Sequence, residues 1–357
     1  MHQPSRVLII RLGGLGDVVN TLPAVRALRQ ELPAAHLTWL VEEPSAALVA
    51  ANPDVSEVIV LPRRRWSGML PRPWLWPCAV SEATRLLHTL RRQGFDLLLD
   101  FQGNLKSGIL ARVTGVPRRI GFTPGASREC NSLFMTELVQ PPSERIARVE
   151  KHLTLVRRVA PTAFYSRPEI RLSPEDEAAT DDFLQRAGLA EKRIVGIHPG
   201  TSPFGAFKRW PTERYGEVAA RLGERLGTTT IVTWGCGEEA LAEAVVASAR
   251  GHATRAPALT PTQLAALMKR MDLFIAADTG PLHLAALLNR PVVALFGPKD
   301  PAIYGPYDCP SVIVRKELPC SPCTRRRCAH VRCIMEISVN DVCAAAEQLL
   351  ARSKSAQ

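Results

Sequence analysis

The 357-residue chain has no run of about 18 or more apolar residues, so its sequence predicts no transmembrane helix. Met1 to Ile10 is soon interrupted by Arg11. That is too short for a signal peptide, and the expectation is a cytoplasmic protein. Aromatic residues amount to only 6%, and no platform of interleaved arginines and aromatics of the RNA-binding kind stands out. No repeat of fixed period is present, and no complete G-x-G-x-x-G fingerprint. Acidic residues are outnumbered: 34 Asp and Glu face 45 Lys and Arg, a formal net charge of +11. Such a balance favours phosphorylated substrates or anionic lipid, with nucleic acid the weakest of the three anionic partners. Hydrophobic residues at 46% and charged residues at 22% exclude a disordered or collagen-like chain. At about 150 residues per domain the length suggests two domains.

Cysteine is sparse except in one place. Cys78, Cys130, Cys236, Cys309 and Cys343 stand alone, whereas Cys320, Cys323, Cys328 and Cys333 form C-x2-C-x4-C-x4-C. In a reducing compartment this spacing suggests a structural zinc site, with His330 as a spare ligand. Four small buried thiols are the alternative. The arginine run Arg325 to Arg327 inside this cluster is a candidate for contact with anionic lipid.

Along the chain, Arg6–Ile10 reads as a buried strand, Arg11–Asp17 as a glycine-rich loop, and Val18–Glu31 as a helix. Strands at 37–41, 57–61 and 97–100 follow, with helices at 44–52 and 105–113. A second array begins with the strand Lys192–His198 and continues with helices at 212–227, 238–250, 261–270 and 281–288 and strands at 229–233, 272–277 and 291–296. The proline-marked stretch 160–190 reads as the linker. The expectation is an α/β protein of two Rossmann-like domains, 1–165 and 166–357, facing a central cleft. In such sheets ligands bind beyond the carboxyl ends of the strands.

The loops at those ends carry the chemistry. Gly13-Gly14-Leu15-Gly16-Asp17 lets backbone approach a ligand, although Asp17 alone would serve as a helix N-cap. Asp278-Thr279-Gly280-Pro281-Leu282-His283 opens a helix with a hydroxyl and free amides, a ready phosphate site. His198-Pro-Gly-Thr201-Ser202, followed by Lys208, could hold a diphosphate. Glu238 could take ribose hydroxyls, with Glu239 as the alternate. Arg63, Arg64, Arg65, Arg72 and Lys106 are candidates for an anionic acceptor, although charge runs are usually only solvated.

Taken in order, Arg11–Pro23, Asp100-Phe-Gln-Gly-Asn-Leu-Lys106-Ser, Arg119-Ile-Gly-Phe122, His198–Ser202, Lys208-Arg-Trp-Pro211, Asp278–His283 and Phe296-Gly-Pro298 resemble the bacterial lipopolysaccharide heptosyltransferases of glycosyltransferase family nine. The resemblance spans nearly the whole chain. It implies a GT-B fold, with the acceptor in the N-terminal domain and the nucleotide sugar in the C-terminal one. It implies an inverting transferase needing no catalytic metal or other cofactor, with Asp17 at the position of the family's catalytic Asp. The implied donor is ADP-L-glycero-D-manno-heptose, and the implied acceptor Kdo-lipid A or its heptosylated product at the inner face of the inner membrane. On this reading Asp17 is the general base, Lys208 neutralises the leaving diphosphate, and Thr201, Ser202, Glu238, Asp278, Thr279, Gly280 and His283 bind the donor. Arg63, Arg64, Arg65 and Lys106 then meet the acceptor. A family-nine transferase with another donor or acceptor, a sugar-nucleotide epimerase on the same scaffold, and a nucleic-acid-binding protein are the competing readings.

Overall fold

The computed structural model describes residues 3–69, 71–323 and 328–354 and divides into two compact units, Met1–Arg171 and Leu172–Gln357. The first unit runs β1 (Arg6–Ile10), α1 (Leu15–Val19), α2 (Leu22–Glu31), β2 (His36–Glu42), α3 (Glu43–Ala50), β3 (Glu57–Leu61), α4 (Arg63–Met69) and α5 (Trp76–Arg92). It continues with β4 (Leu97–Asp100), α6 (Leu105–Val113), β5 (Arg118–Phe122), β6 (Glu137–Val139) and α7 (Arg148–Arg157). The second runs α8 (Pro174–Arg186), β7 (Ile194–His198), α9 (Thr212–Leu226), β8 (Thr229–Val232), α10 (Glu239–Ser248), β9 (Ala253–Arg255) and α11 (Pro261–Lys269). Then come β10 (Leu273–Ala277), α12 (Gly280–Leu287), β11 (Val292–Leu295), α13 (Pro301–Tyr304), β12 (Ser311–Val314), α14 (Arg332–Met335) and α15 (Val339–Lys354).

Each unit holds one six-stranded sheet, in the orders β3-β2-β1-β4-β5-β6 and β12-β11-β10-β7-β8-β9. All strand pairs are parallel. Numbered within its own unit, each sheet has the doubly wound order 3-2-1-4-5-6, so the strand order reverses between β1 and β4, and again between β7 and β10. The central strands are continuous Val, Ile, Leu and Ala runs because helices cover both faces. Leu8, Ile10, Leu40 and Leu98 anchor one core, and Val195, Ile197, Trp210, Tyr215 and Ile275 the other. Each such buried side chain contributes roughly 1.5–3 kcal/mol.

Two expectations change. The helix expected over 18–31 is two helices, broken at Asn20 and Thr21. Pro23 sits in the first turn of α2, and the Thr21 hydroxyl donates to the Asp17 carbonyl at 2.8 Å. The buried His152 of α7 then takes the freed Asn20 carbonyl, Nδ1 to O 3.0 Å. The stretch 160–190 is not a free linker. Ser166 donates to Gln30 at 2.9 Å, Asn52 donates to the Glu169 carbonyl at 2.9 Å, and the Arg171 amide donates to the Ala51 carbonyl at 2.8 Å. These bonds keep the chain with the first unit as far as Arg171. Beyond it, α8 is capped by Ser173 and pairs with α11 through Asp181 and Arg270 at 2.6 Å.

Candidate active site

Asp17, Thr201, Ser202, Asp278, Thr279, Gly280 and His283 lie at the two points where strand order reverses, whereas the arginine run and the cysteine cluster do not. In the first unit β1 runs into Gly13 and Gly14. A Cβ on Gly13 would stand 2.8 Å from Glu42 Oε2 and would displace that carboxylate, and Gly14 has φ +83°, where a side chain is strained. Gly14, not Asp17, is the N-cap of α1. Asp17 lies inside the first turn, and its carboxylate pairs with Arg11 Nη2 at 2.5 Å. The Arg11 side chain is buried and donates also to the Phe101 carbonyl at 2.7 Å. Asp17 thus does not close the helix. It is held by a guanidinium that is itself fixed to the loop after β4.

That loop is organised by Asp100, which is fully buried. It accepts from the Gln102 and Gly103 amides, the Ser107 hydroxyl and the Asn131 amide group at 2.7–3.1 Å. Burial pushes its pKa up, and these four donors oppose the shift. Lys106 is exposed on α6. The arginine run lies on α4 with all three side chains exposed. Arg63 pairs with Glu42 at 3.1 Å and Arg65 with Glu82 at 2.5 Å, so two of the three charges are already compensated. Four cations that composition did not single out lie close together: Lys151, Arg148, Arg128 and Arg11. Burial first, then these three arginines, push the Lys151 ammonium down to about 8. Their only sequence signal was position, since each flanks a strand end or starts α7.

In the second unit, β7 pairs with β10 so that His198 lies beside Ala276. The register brings Gly200–Ser202 level with Asp278–Gly280. Lys208 Nζ donates to both the carbonyl and Oδ2 of Asp278, each at 2.7 Å, and His283 Nε2 lies 3.5 Å from Asp278 Oδ1. Burial disfavours the Asp278 charge, but His283 and Lys208 outweigh it and hold the carboxyl at about 2. Thr279 is the N-cap of α12 and uses no side-chain bond there. The Thr201 hydroxyl accepts from Arg209 Nε at 3.0 Å, whereas Ser202 is exposed.

Glu238 belongs to this cluster and Glu239 does not. Glu238 accepts from the Gly235 amide at 2.9 Å and from His198 Nε2 at 3.4 Å. A carboxylate only accepts, so His198 Nε2 carries a proton, and Nδ1 lies 3.0 Å from the Thr233 hydroxyl. Burial opposes the Glu238 charge, yet His198, Gly235 and Arg209 together lower its pKa. Gly200 is obligatory here, since a Cβ would come within 2.1 Å of Glu238 Oε2. Glu239 turns outward to Arg255.

The cysteine segment is tied to β11. Ser321 Oγ donates to the Gly297 carbonyl at 2.8 Å and the Cys323 amide to the Pro298 carbonyl at 2.7 Å. Cys320 and Cys328 are exposed, Cys323 half-buried and Cys333 buried. Among the described residues no three His, Cys, Asp or Glu side chains stand together as metal ligands. The residues as placed do not form the tetrahedral set that their spacing suggests. Arg325 to Arg327 lie outside the described residues. A separate recess of about 570 Å³ lies between α8 and residues 255–259, and none of the expected site residues lines it.

Two doubly wound units of one strand order, each with polar residues at the reversal point, are the architecture of GT-B proteins. The model of glycosyltransferase family 9 (heptosyltransferase) matches residues 83–333, and the chain belongs to that family. Lipopolysaccharide heptosyltransferase 1 of Pseudomonas aeruginosa is 31% identical over 91% of this chain and 88% of its own. Among solved structures, a family 9 glycosyl transferase from Veillonella parvula superposes with a TM-score of 0.83 at 24% identity, covering 99% of both chains. The E. coli heptosyltransferase WaaC with ADP gives 0.75 at 24% identity, over 96% of this chain and 99% of that one.

Proposed function

We propose that this enzyme transfers heptose from ADP-L-glycero-D-manno-heptose to the Kdo-lipid A inner core of lipopolysaccharide, with inversion, at the cytoplasmic face of the inner membrane. The observation that carries the mechanism is the accessibility of one carboxylate. The Asp17 side chain is 46% exposed, whereas those of Glu42, Glu238 and Asp278 are 13%, 12% and 9% exposed and Asp100 is fully buried. Glu239 is exposed too, but it turns outward to Arg255, so among the carboxylates that stay at the candidate site Asp17 is the one that an acceptor hydroxyl can reach. Arg11 orients it.

In the proposed reaction Asp17 takes the proton as the acceptor oxygen attacks the anomeric carbon. The bond from that carbon to the diphosphate breaks, and ADP leaves with the electron pair. Lys208, steered by Asp278, and the amides at the start of α12 with Thr279 and Gly280 meet the charge that gathers on the diphosphate. Thr201, Ser202 and His283 complete the donor site, and Glu238 takes the ribose hydroxyls. These protein cations supply the charge neutralisation, so the proposed step draws on no divalent metal. The acceptor's carboxylates and phosphates fall to Arg63, Arg64, Arg65 and Lys106, and to the Arg128, Arg148 and Lys151 cluster. The first acceptor is favoured over the heptosylated one because the relative at 31% identity is named heptosyltransferase 1.

ADP release from ADP-heptose, followed with deacylated Kdo-lipid A and with its heptosylated product, tests the reading. Release that requires the first acceptor supports it, release that requires the second moves the enzyme one step on, and acceptor-independent turnover refutes a transferase. Asp17→Asn is expected to abolish transfer, by about 100-fold or more for a lost general base, while ADP binding stays near wild type. Loss of ADP binding in that variant would show that Asp17 holds the loop instead.

A further inference from the structure

Residues 74–80, where α5 opens, form a surface that carries none of the residues assigned to the transfer reaction. Within seven residues Trp74 is 73% exposed, Trp76 52% and Val80 63%. Single exposed apolar side chains are ordinary, but two indoles and a valine side by side are a patch. Pro71, Pro73 and Pro77 restrict the backbone that carries them. The charge around this tip has one sign. Residues 63–92 hold seven arginines and a single carboxylate, Glu82, which already accepts from Arg65 and from Trp66 Nε1. Arg72 is exposed beside Trp74, and Arg64 is exposed on α4.

Tryptophan is the side chain best suited to the headgroup layer of a bilayer, its ring apolar and its N–H a donor. Arginines at the same level attract anionic headgroups. We propose that the Trp74–Val80 tip docks the enzyme on an anionic phospholipid surface, with the two indoles in the headgroup layer and Arg72 against lipid phosphates. Trp66 of α4 packs against the core of the first unit, and Arg63 pairs with Glu42, which touches the Gly13 turn. Arg65 and Trp66 of α4 both bond Glu82 of α5, so the helix that opens with Trp76 is tied to α4, and α4 in turn to Glu42 beside the Gly13 turn. A benefit for a lipid-anchored acceptor rests on the function proposed above, whereas vesicle binding does not depend on it.

The test is sedimentation of the full chain with vesicles of phosphatidylethanolamine and phosphatidylglycerol, and with vesicles of phosphatidylcholine alone. Wild type is expected to pellet with the anionic vesicles and to be released by salt. The double variant Trp74→Ser, Trp76→Ser is expected to bind them about tenfold more weakly, with an unchanged thermal midpoint. It should transfer heptose to a soluble deacylated acceptor at the wild-type rate, and show a raised KM only for the acceptor held in vesicles. Equal vesicle binding by wild type and variant overturns the proposal. So does a wild type that ignores vesicles and instead forms a dimer that the variant lacks, since the patch would then cover a second copy. Failure of soluble transfer by wild type refutes the proposed function and leaves the vesicle result standing by itself.

Discussion

Single residues decide how the donor half of the site is built, and two of them show where sequence reasoning stops. Glu238 and Glu239 are chemically identical neighbours, and nothing in their order says which faces the site. The choice is made by Gly235 in the same turn and by His198 and Gly200 at the end of β7, which leave room and donors for one carboxylate only. Asp17 poses the reverse difficulty: its place before a helix suggests a cap, but Gly14 takes that position and Arg11 takes the carboxylate. The Gly200 contact yields a sharp expectation. In Gly200→Ala the new methyl would lie 2.1 Å from Glu238 Oε2, so the carboxylate must move. KM for the nucleotide sugar should rise by about tenfold, the equivalent of one lost charged hydrogen bond at roughly 1.5 kcal/mol, with a smaller change in kcat. Calorimetric titration of ADP checks this, and wild-type affinity would remove Glu238 from the ribose role.

At the scale of elements, the buried strands and their following helices were legible because continuous apolar runs and 3.6-residue spacing are written locally. The inner strand β5 was not, since Arg118, Arg119 and Gly121 interrupt its apolar run, nor were the short edge strands β6, β9 and β12, where three or four residues of half-buried strand leave little pattern. Nor were α4 and α5, where charge and proline mask the spacing. The break between α1 and α2 depends on His152, more than a hundred residues away in sequence. The cysteine segment is a different case, because its spacing is legible and its geometry is not. Cys320 and Cys328 are exposed, whereas Cys333 is buried and its thiol is pushed up by burial and by Cys323, Cys320 and Cys328. Cys343 is buried too, and burial raises it to about 11. A thiol-specific chromogenic reagent at pH 7.5 should therefore modify Cys320 and Cys328 quickly and Cys333 and Cys343 only on unfolding. Joint protection of all four clustered thiols, released together by a chelator, would instead restore the tetrahedral zinc set.

Over the whole molecule, the same strand order used twice explains why the motifs recur in pairs, one after the first and one after the fourth strand of each unit. It also explains why ordered motifs identify the chain when single ones do not, since each loop is common and the sequence of four reversal-point loops is not. The fold stores one further property that no motif shows. His152 is buried, and burial, together with Arg11, drives its pKa down from 6.5 to about 3. The unfolded chain binds this proton below pH 6.5 and the folded one does not until about pH 3, so stability is complete above 6.5 and drains as pH falls between those values. Asp278 and Glu238, whose folded pKa values are lowered, lose their contribution only below the ordinary carboxylate range, and Asp100, whose pKa is raised, acts in the opposite sense. Between pH 6.5 and 4.5 the His152 contribution, read as the difference between wild type and His152→Gln so that Asp100 cancels, should be about 1.4 kcal/mol per pH unit, or roughly 2–3 kcal/mol in all. Urea midpoints measured across that range should fall more steeply for wild type than for His152→Gln, which can keep the bond to the Asn20 carbonyl without titrating. Midpoints that run parallel for the two proteins down to pH 4.5 would mean that His152 gains its proton in the folded state as readily as in the unfolded one.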